Sequence, residues 1–215
     1  MSWAVERRSL APSAFHALAL PEPLERAVWV CDAAAPALVL GSTQPEEVVD
    51  RAACARAGVE VVRRRSGGGA VLVVPGDLLW VDLLVPRADP LWHDDVGTAF
   101  HWVGDLFAAV LAHHGQPAVV HRGGLVEGGW GREVCFAGLG PGEVTVGDAK
   151  VVGLAQRRSR HGARFQCAVL HRWDPGALLG LLRLPAEARA DLADVATGLS
   201  TPPDDVLATL LERLP

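Results

Sequence analysis

The first candidate for chemistry in this chain is a run of three arginines followed by three glycines. It lies in the segment Val61-Val-Arg-Arg-Arg65-Ser-Gly-Gly-Gly69-Ala-Val71. Glycines let a backbone approach a ligand closely and point its N–H groups at an anion. Arginines add charge-assisted hydrogen bonds to a phosphate or carboxylate. A hairpin turn with a solvated basic flank is the alternative interpretation. The Gly-Lys-Ser/Thr of a P-loop is missing, so that motif is excluded.

The second candidate is Lys150, the one lysine among the 20 Lys and Arg residues. A compact ammonium fits beside a carbonyl or phosphate oxygen where a flat guanidinium does not. Cys135 precedes it in the same glycine-rich stretch. A nearby cation lowers the pKa of a thiol and makes it a usable nucleophile. Because Cys135 stands between Val134 and Phe136, a simple core position is the alternative.

The remaining cysteines and the histidines do not predict a metal site. Cys31, Cys54 and Cys167 fall in strand or helix patterns, and we interpret them as core residues. The chain has no C-x-x-C pair, and its eight histidines show no ligand spacing. Reduced thiols, a charged N-terminus and the lack of a long apolar stretch predict a cytoplasmic protein without a membrane partner.

Composition restricts the class of protein further. Half of the 215 residues are hydrophobic and 21% are charged, which excludes intrinsic disorder. The net charge of −5 and the lack of a basic patch with interleaved aromatic residues argue against a nucleic-acid partner. A basic run at Arg157, Arg158, Arg160 and Arg164 is either a solvated turn or a docking surface for an acidic protein. We expect one domain over 1–215, with its core in 27–172 and a helical segment in 173–215.

The elements that must position these residues can be predicted from pattern. Short apolar runs bounded by turn residues predict strands over 27–31, 37–40, 59–63, 69–74, 78–85, 151–155 and 165–170. Helical spacing and capping residues predict helices over 44–57, 94–114, 177–184 and 203–214. The second helix would bury a stripe of Val96, Phe100, Val103, Phe107 and Val110. Segment 121–147 is expected to be loop and short strand. The sum is an α+β fold: a single mixed β-sheet flanked by helices.

Three segments together resemble the lipoate/biotin protein ligase superfamily, and within it the lipoate–protein ligase A type. They are 38–44, 58–71 with Arg-Arg-x-Ser-Gly-Gly-Gly-Ala-Val, and 150–158 with Lys-x-x-Gly-x-Ala-Gln. They occur in the family's order and spacing. The resemblance implies a mixed sheet flanked by helices. It also implies a reaction in which lipoic acid and ATP, with Mg²⁺, give lipoyl-adenylate. The acyl group then passes to a lysine of a lipoyl carrier domain.

The resemblance also implies roles for particular residues and partners. Substrate and nucleotide would contact Arg65, Ser66, Gly67, Gly68, Gly69, Ala70, Gly153, Ala155 and Gln156. Lys150 would contact the activated carboxyl and phosphate oxygens and stabilise developing negative charge. The acceptors would be lipoyl domains of 2-oxoacid dehydrogenase subunits or the glycine-cleavage carrier protein.

The sequence departs from the family pattern at several positions. Val73 stands in place of the family's histidine after the glycines, and Gln166-Cys167-Ala168 in place of His-Gly-Ser. Glu143-Val144 replaces the Asn-Asp pair before the lysine. We also expect no C-terminal accessory domain, and the sequence does not decide whether a separate accessory chain supplies that part.

Two alternatives follow from these departures. Some octanoyltransferases carry Cys-Phe about fifteen residues before the lysine, as at Cys135-Phe136 and Lys150. The cysteine would then accept octanoyl from acyl carrier protein as a thioester, without ATP or another cofactor. Those enzymes usually have Arg where Gly69 stands, so the glycine loop favours the ligase. A non-catalytic protein that binds lipoyl domains or acyl groups is the other alternative.

Overall fold

The computed structural model describes residues 2–215. Its strands are β1 Ala4–Leu10, β2 Ala27–Ala33, β3 Ala37–Leu40, β4 Glu60–Arg63, β5 Val71–Val73, β6 Leu78–Pro86, β7 Val119–Val120, β8 Val144–Val146, β9 Ala149–Ser159 and β10 Gly162–Leu170. Its α-helices are α1 Pro12–Ala17, α2 Arg51–Ala57, α3 His101–His113, α4 Pro175–Leu179, α5 Ala188–Asp191 and α6 Pro203–Glu212.

The strands form two sheets. The larger one is mixed and has seven strands in the order β1-β2-β6-β10-β9-β8-β7. In it β1 runs parallel to β2, and the other neighbours pair antiparallel. The smaller sheet has the order β4-β3-β5, with β3 parallel to β4 and antiparallel to β5. The predicted mixed sheet flanked by helices is confirmed, and the second, small sheet is an addition to it.

The elements stack in four layers. Helices α3 and α6 pack on one face of the large sheet through residues such as Val81, Leu83 and Phe107. The small sheet packs on the other face through Val39, Val73 and Trp80. Helices α2, α4 and α5 cover the outer face of the small sheet. Any cavity between the two sheets is therefore enclosed by β-strands on both sides.

The alternation of side chains along β6 shows why its sequence is apolar at every position from Leu78 to Val85 except Asp82. Leu79, Val81, Leu83 and Val85 belong to the core beneath α3, while Trp80 and Leu84 belong to the core between the sheets. Successive side chains of a strand point to opposite faces. A strand that is covered on both faces therefore needs apolar residues at nearly every position.

Most of the predicted strands are confirmed with shifted ends. Strands β5 and β6, although consecutive in the chain, lie in different sheets. The turn at Pro75-Gly76-Asp77, in which Gly76 has φ +86°, takes the chain from the small sheet to the large one. The last predicted helix is confirmed as α6, while 177–184 shortens to α4. Segment 121–147 is largely loop, as expected.

Two helix predictions were wrong at their N-terminal ends. The predicted helix 44–57 is a 3₁₀ turn at Glu46–Val48, an extended Val49 that bridges Leu182, and then α2. Asp50 begins α2 by accepting from the Ala53 N–H at 2.9 Å. Likewise α3 begins only at His101, and Val96 is exposed instead of lying in the core. At α2, therefore, a capping side chain inside the predicted segment decides where the helix starts.

None of the helices in the described part of the chain has the length and apolar composition needed to cross a membrane.

Candidate functional site

The glycine-rich loop connects β4 to β5, and a buried arginine holds its shape. Nη2 of Arg64 donates to the carbonyl oxygens of Gly67 and Gly69 at 2.7 and 2.9 Å. Nη1 of the same side chain donates to the Val39 carbonyl at 3.2 Å. A guanidinium that is 6% exposed must find acceptors inside the protein. The loop carbonyls therefore turn inward toward Arg64.

Backbone crowding explains why this loop consists of glycines. An ideal Cβ on Gly69 would lie 2.4 Å from the Val134 nitrogen, and one on Gly41 would lie 1.8 Å from the Gly68 carbonyl oxygen. Gly68 has φ +92°, a conformation that other residues rarely adopt. A Cβ on Gly67, in contrast, would meet nothing within 4 Å. Gly67 is thus the member of the loop that faces open space.

Lys150 is buried near the start of β9 and has three acceptors. Nζ donates to the carbonyl oxygens of Cys135 at 3.1 Å and Gly138 at 2.9 Å. It also forms an ion pair with Oε2 of Glu143 at 2.6 Å. An ammonium has three N–H donors, so each one has an acceptor. Burial of this charge is tolerated because it is paired and hydrogen-bonded.

Glu143 ties the loop before β8 to β9. Besides Lys150, its Oε2 accepts from the Gly140 N–H at 2.7 Å, and its Oε1 accepts from the Leu154 N–H at 3.0 Å. The carboxylate is therefore satisfied by one cation and two backbone amides. This glutamate stands where the family that the sequence resembles has an Asn-Asp pair, and it fixes where the ammonium lies.

Two cavities meet at this site. The larger cavity, of about 560 Å³, is lined by Gln44, Gly67, Gly68, Cys135, Glu143, Lys150 and Leu154, among others, and we call it the polar cavity because it is the more polar of the two. A narrow, mostly apolar cavity of about 100 Å³ runs between the sheets and is lined mainly by Val39, Val71, Val73, Leu78, Trp80, Phe136, Gly153, Ala155 and Ala168. Gly67, Cys135 and Leu154 line both. The two spaces therefore share a boundary at the glycine loop and the cysteine.

Two side chains that line the apolar cavity, His16 and Cys167, are held uncharged by their surroundings. His16 of α1 lines it and packs against Trp80, with ring centroids 4.9 Å apart and the ring planes tilted by 38°. Burial, with smaller effects of Arg164 and Arg64, lowers the pKa of His16 to about 4. Burial and the charge of Asp82 raise the pKa of Cys167 well above its usual value. At neutral pH both side chains present neutral surfaces to the cavity.

A buried ion pair joins β6 and β10, two strands of the large sheet that contribute to the wall of this cavity. Arg164, 1% exposed at its side chain, contacts the fully buried Asp82 through Nη2, and its Nε donates to Oδ2 at 2.7 Å. Nη2 also donates to the Phe15 carbonyl of α1 at 3.0 Å. Burial raises the pKa of Asp82, and the attraction of Arg164 opposes that effect. The basic run of the sequence is thus not wholly a solvated turn or docking surface.

The structure brings together most, but not all, of the predicted site residues. Lys150, Cys135, Gly67 and Gly68 line the polar cavity, and Gly153 and Ala155 line the apolar one. The other five predicted residues line neither cavity. Arg65 is exposed, Ala70 is fully buried, and Gly69 packs on the Val134 backbone. Ser66 and Gln156 each have a buried polar side-chain atom that has no hydrogen-bond partner within residues 2–215.

Sequence reasoning named Arg64 only as one of three arginines that could bind an anion and gave it no role of its own. It missed Phe136 and His16 as parts of the site, and it treated Glu143 only as a departure from the family. For Arg64 a signal existed. Val62 and Arg64 are buried while Arg63 and Arg65 are exposed, which is the two-residue alternation of β4 continued past its end. His16 gave no signal, because contacts distant in sequence place α1 beside the cavity.

No group of three or more His, Cys, Asp or Glu side chains that could hold a metal ion occurs in residues 2–215.

Residues 14–200 match the family model described as the lipoyl protein ligase A/B catalytic domain. No curated protein matches the chain by sequence.

Solved structures show the same fold at low sequence identity. A lipoate-protein ligase A bound with ATP aligns with a TM-score of 0.72 at 20% identity, covering 99% of this chain and 84% of the other. A bi-partite lipoate protein ligase from Thermoplasma acidophilum, analysed with its E2 lipoyl domain, aligns with a TM-score of 0.77 at 17% identity. The alignment covers 99% of this chain and 82% of the other. A Thermoplasma acidophilum protein with bound lipoic acid aligns with a TM-score of 0.75 at 18% identity, covering 99% of this chain and 84% of the other. Since the family model matches most of its length, the chain belongs to the lipoyl protein ligase A/B catalytic domain family.

Proposed function

We propose that this chain attaches a lipoyl or octanoyl group to a lysine of a lipoyl carrier domain through an acyl-adenylate. The observation that carries the proposal is the junction of the two cavities at Gly67, Cys135 and Leu154. A medium-chain acid placed across that junction would have its tail among apolar side chains and its carboxylate in the polar space. Family membership and the fold shared with lipoate-protein ligases support it.

The polar cavity has the features that a phosphate group requires. Within residues 2–215 no backbone carbonyl or side chain accepts from the N–H groups of Gly67 and Gly68, which line this cavity. Free amides of successive residues form an anion-binding concavity. ATP would place its α-phosphate there. Any Mg²⁺ would be held chiefly by the nucleotide phosphates, as is usual for this ion.

The reaction balances as follows. A carboxylate oxygen of the acid bonds to the α-phosphorus of ATP, and pyrophosphate leaves with its bonding electrons. The acceptor lysine nitrogen then attacks the acyl carbonyl, AMP leaves, and the nitrogen loses a proton. In both steps negative charge develops near Lys150, whose ammonium would exchange a carbonyl contact for a substrate oxygen. Fixed positive charge of this kind stabilises a transition state.

The acceptor is proposed to be a lipoyl domain of a 2-oxoacid dehydrogenase subunit or the glycine-cleavage carrier protein. The bi-partite ligase relative has been analysed with an E2 lipoyl domain. A lysine on such a carrier would reach the acyl carbonyl through the polar cavity, which is the larger of the two.

An octanoyltransferase that uses Cys135 is the second candidate, and one observation favours it. The Cys135 thiol lies where both cavities meet, and Nη2 of Arg64 is 3.8 Å from its sulfur. Cys135 is half-buried, while Cys31, Cys54 and Cys167 are buried. In this route the thiolate attacks the octanoyl thioester of acyl carrier protein, whose thiol leaves. The target lysine then displaces the cysteine.

One experiment separates these functions. The purified chain is incubated with an apo lipoyl domain and either lipoate with Mg-ATP or octanoyl–acyl carrier protein, and the acceptor is weighed by mass spectrometry. The proposal expects the lipoyl mass increase in the first mixture. Product from the second mixture alone would establish the transferase. Product from neither, with octanoate still bound by the chain, would leave only an acyl-binding protein.

The Cys135→Ser variant decides the chemical route. With lipoate and ATP, the adenylate route predicts initial rates within a few-fold of wild type, because the thiol forms no bond. With octanoyl–acyl carrier protein as donor, the thioester route predicts loss of transfer by several orders of magnitude, since a serine hydroxyl is a far weaker nucleophile at neutral pH. Cys54→Ser, in α2 and away from both cavities, is the matched control.

A further inference from the structure

A third cavity lies beside the apolar one, on the side of α4. It has a volume of about 250 Å³, larger than the apolar cavity of about 100 Å³. Much of its lining is apolar and comes from Leu72, Leu170, Trp173, Ala177 and Leu178, with Asp77, Arg172 and Asp174 also present. Nothing in the proposed reaction uses this space.

The two cavities are separated by a thin wall. Val71, Leu78 and Phe136 line both of them. Val71 and Leu78 are strand residues, held by the ladders of β5 and β6. Phe136 lies instead in a single 3₁₀ turn, Cys135–Ala137, outside either sheet. The aromatic ring is therefore the large, non-strand member of the wall.

Contacts on several sides hold the Phe136 ring in place. Its centroid is 6.1 Å from that of Trp173, whose indole also lines the third cavity. Nζ of Lys150 lies 5.1 Å from the ring centroid, within range of a cation–π contact. The ring edge approaches Gly153, where an ideal Cβ would lie 3.2 Å away. A side chain 3% exposed and fixed in this way forms a rigid partition.

We propose that Phe136 closes the acyl site and sets its length limit, and that the third cavity is a latent subsite for the end of a longer fatty acyl chain. This inference rests on the proposed function, since it presumes that an acyl tail occupies the apolar cavity. With the ring in place, a tail longer than octanoyl has no apolar space to enter. Without it, the tail gains contact with Leu170, Trp173 and Leu178.

The test is binding of free fatty acids, which does not require catalysis. Calorimetric titration of octanoate and dodecanoate is compared for wild type and Phe136→Ala. Each added methylene that finds apolar contact improves binding about fourfold. We therefore expect Phe136→Ala to bind dodecanoate at least about tenfold more tightly than wild type does, with octanoate affinity changed much less.

Two further variants make the result specific. Ala177, an exposed residue that lines the third cavity, can be replaced to fill it. Adding Ala177→Trp to Phe136→Ala is expected to return dodecanoate binding to the wild-type value. Phe100→Ala removes a ring that packs on Phe165 and lines none of these cavities, so it should leave both affinities unchanged. If Phe136→Ala does not fold, Phe136→Leu should shift the preference in the same direction.

The outcomes distinguish the inference from the function beneath it. If wild type binds octanoate, and if dodecanoate binds equally tightly to wild type and to a folded Phe136 variant, only the length limit is contradicted. A gain at dodecanoate that Ala177→Trp does not reverse contradicts the third cavity as the subsite. Wild type that binds neither acid contradicts the proposed function itself.

Discussion

The ammonium of Lys150 already has an acceptor for each of its protons, and this shapes what a substitution should do. Glu143 and the carbonyls of Cys135 and Gly138 surround it in a site that is 3% exposed. A substrate oxygen must therefore compete with groups at well-defined distances. A larger cation cannot occupy the same space without moving them.

For Lys150→Arg we expect acyl transfer to fall by about 100-fold or more, the size seen when an oxyanion-stabilising donor is lost. The guanidinium retains the charge but not the compact head. The measurement is the initial rate of lipoyl transfer, with denaturant unfolding to show that the variant is folded. Unchanged turnover would mean that Lys150 does not contact the reacting group.

His16 gives a second prediction at this scale, concerning pH. Its pKa is about 4 in the folded protein and near 6.5 in an unfolded chain. Between these pH values the unfolded state binds more protons, so His16 reduces stability as the pH falls through this window. Above pH 6.5 both states are neutral and the effect is absent.

The variant His16→Gln should remove this contribution. Urea unfolding at pH 7.5 and pH 4.5 should show a larger loss of stability for wild type than for His16→Gln. The carboxylates titrate in both proteins and cancel in the difference. If both proteins lose the same amount of stability between these pH values, His16 takes up its proton equally well in the folded and in the unfolded state.

Among the elements, the loop between β4 and β5 depends on close backbone contact. Gly69→Ala would place a methyl group against Val134 backbone atoms, which cannot swing away as a flexible side chain would. We expect a cost of about 1–3 kcal/mol in the free energy of unfolding. Gly67→Ala is the control, because its Cβ meets nothing, and it should change stability by less than about 0.5 kcal/mol. Equal effects in the two variants would contradict this account.

Comparing the predicted elements with those of the structure shows which of them could be predicted from the sequence. Strands β3 and β6 were predictable because their apolar runs are local signals that tertiary structure reinforces. Strand β1 was missed because the charged residues Glu6, Arg7 and Arg8 leave it without an apolar run, and because its pairing with β2 is distant in sequence. Helix α1 was missed because its short length gives little periodicity.

Within the site, motif spacing placed Lys150 and the glycines together but did not reveal which side chains close the cavities. The lysine and the loop are brief segments with unusual composition, so they stand out. Phe136 and Glu143 look ordinary in the sequence. Their importance comes from contacts across β9 and the loop before β8, which only the folded chain brings together.

Considered as a whole, the molecule is joined across its layers by one internal charge pair. Arg164 of β10 and Asp82 of β6 lie between the sheets, and the same guanidinium holds the carbonyl of Phe15 in α1. Removing one partner leaves a buried charge uncompensated. The N-terminal helix, the large sheet and the wall of the apolar cavity should therefore be destabilised together.

For Arg164→Met we expect a loss of about 3–5 kcal/mol in the free energy of unfolding, measured with denaturant at neutral pH. The double variant Asp82→Leu/Arg164→Met should lose less, because no unpaired charge remains. Arg7→Met, which breaks a surface pair with Asp32, is the control and should cost no more than about 1 kcal/mol. A small effect of Arg164→Met would show that the pair is dispensable.

The exposure of the four thiols has a practical consequence. Three of them are buried and one, Cys135, opens onto the boundary between the two substrate spaces. An environment-sensitive fluorophore carried on an iodoacetamide would therefore attach at a single native position. Its emission would change as the neighbouring spaces fill, so occupancy could be followed in real time in a chain with no introduced cysteine.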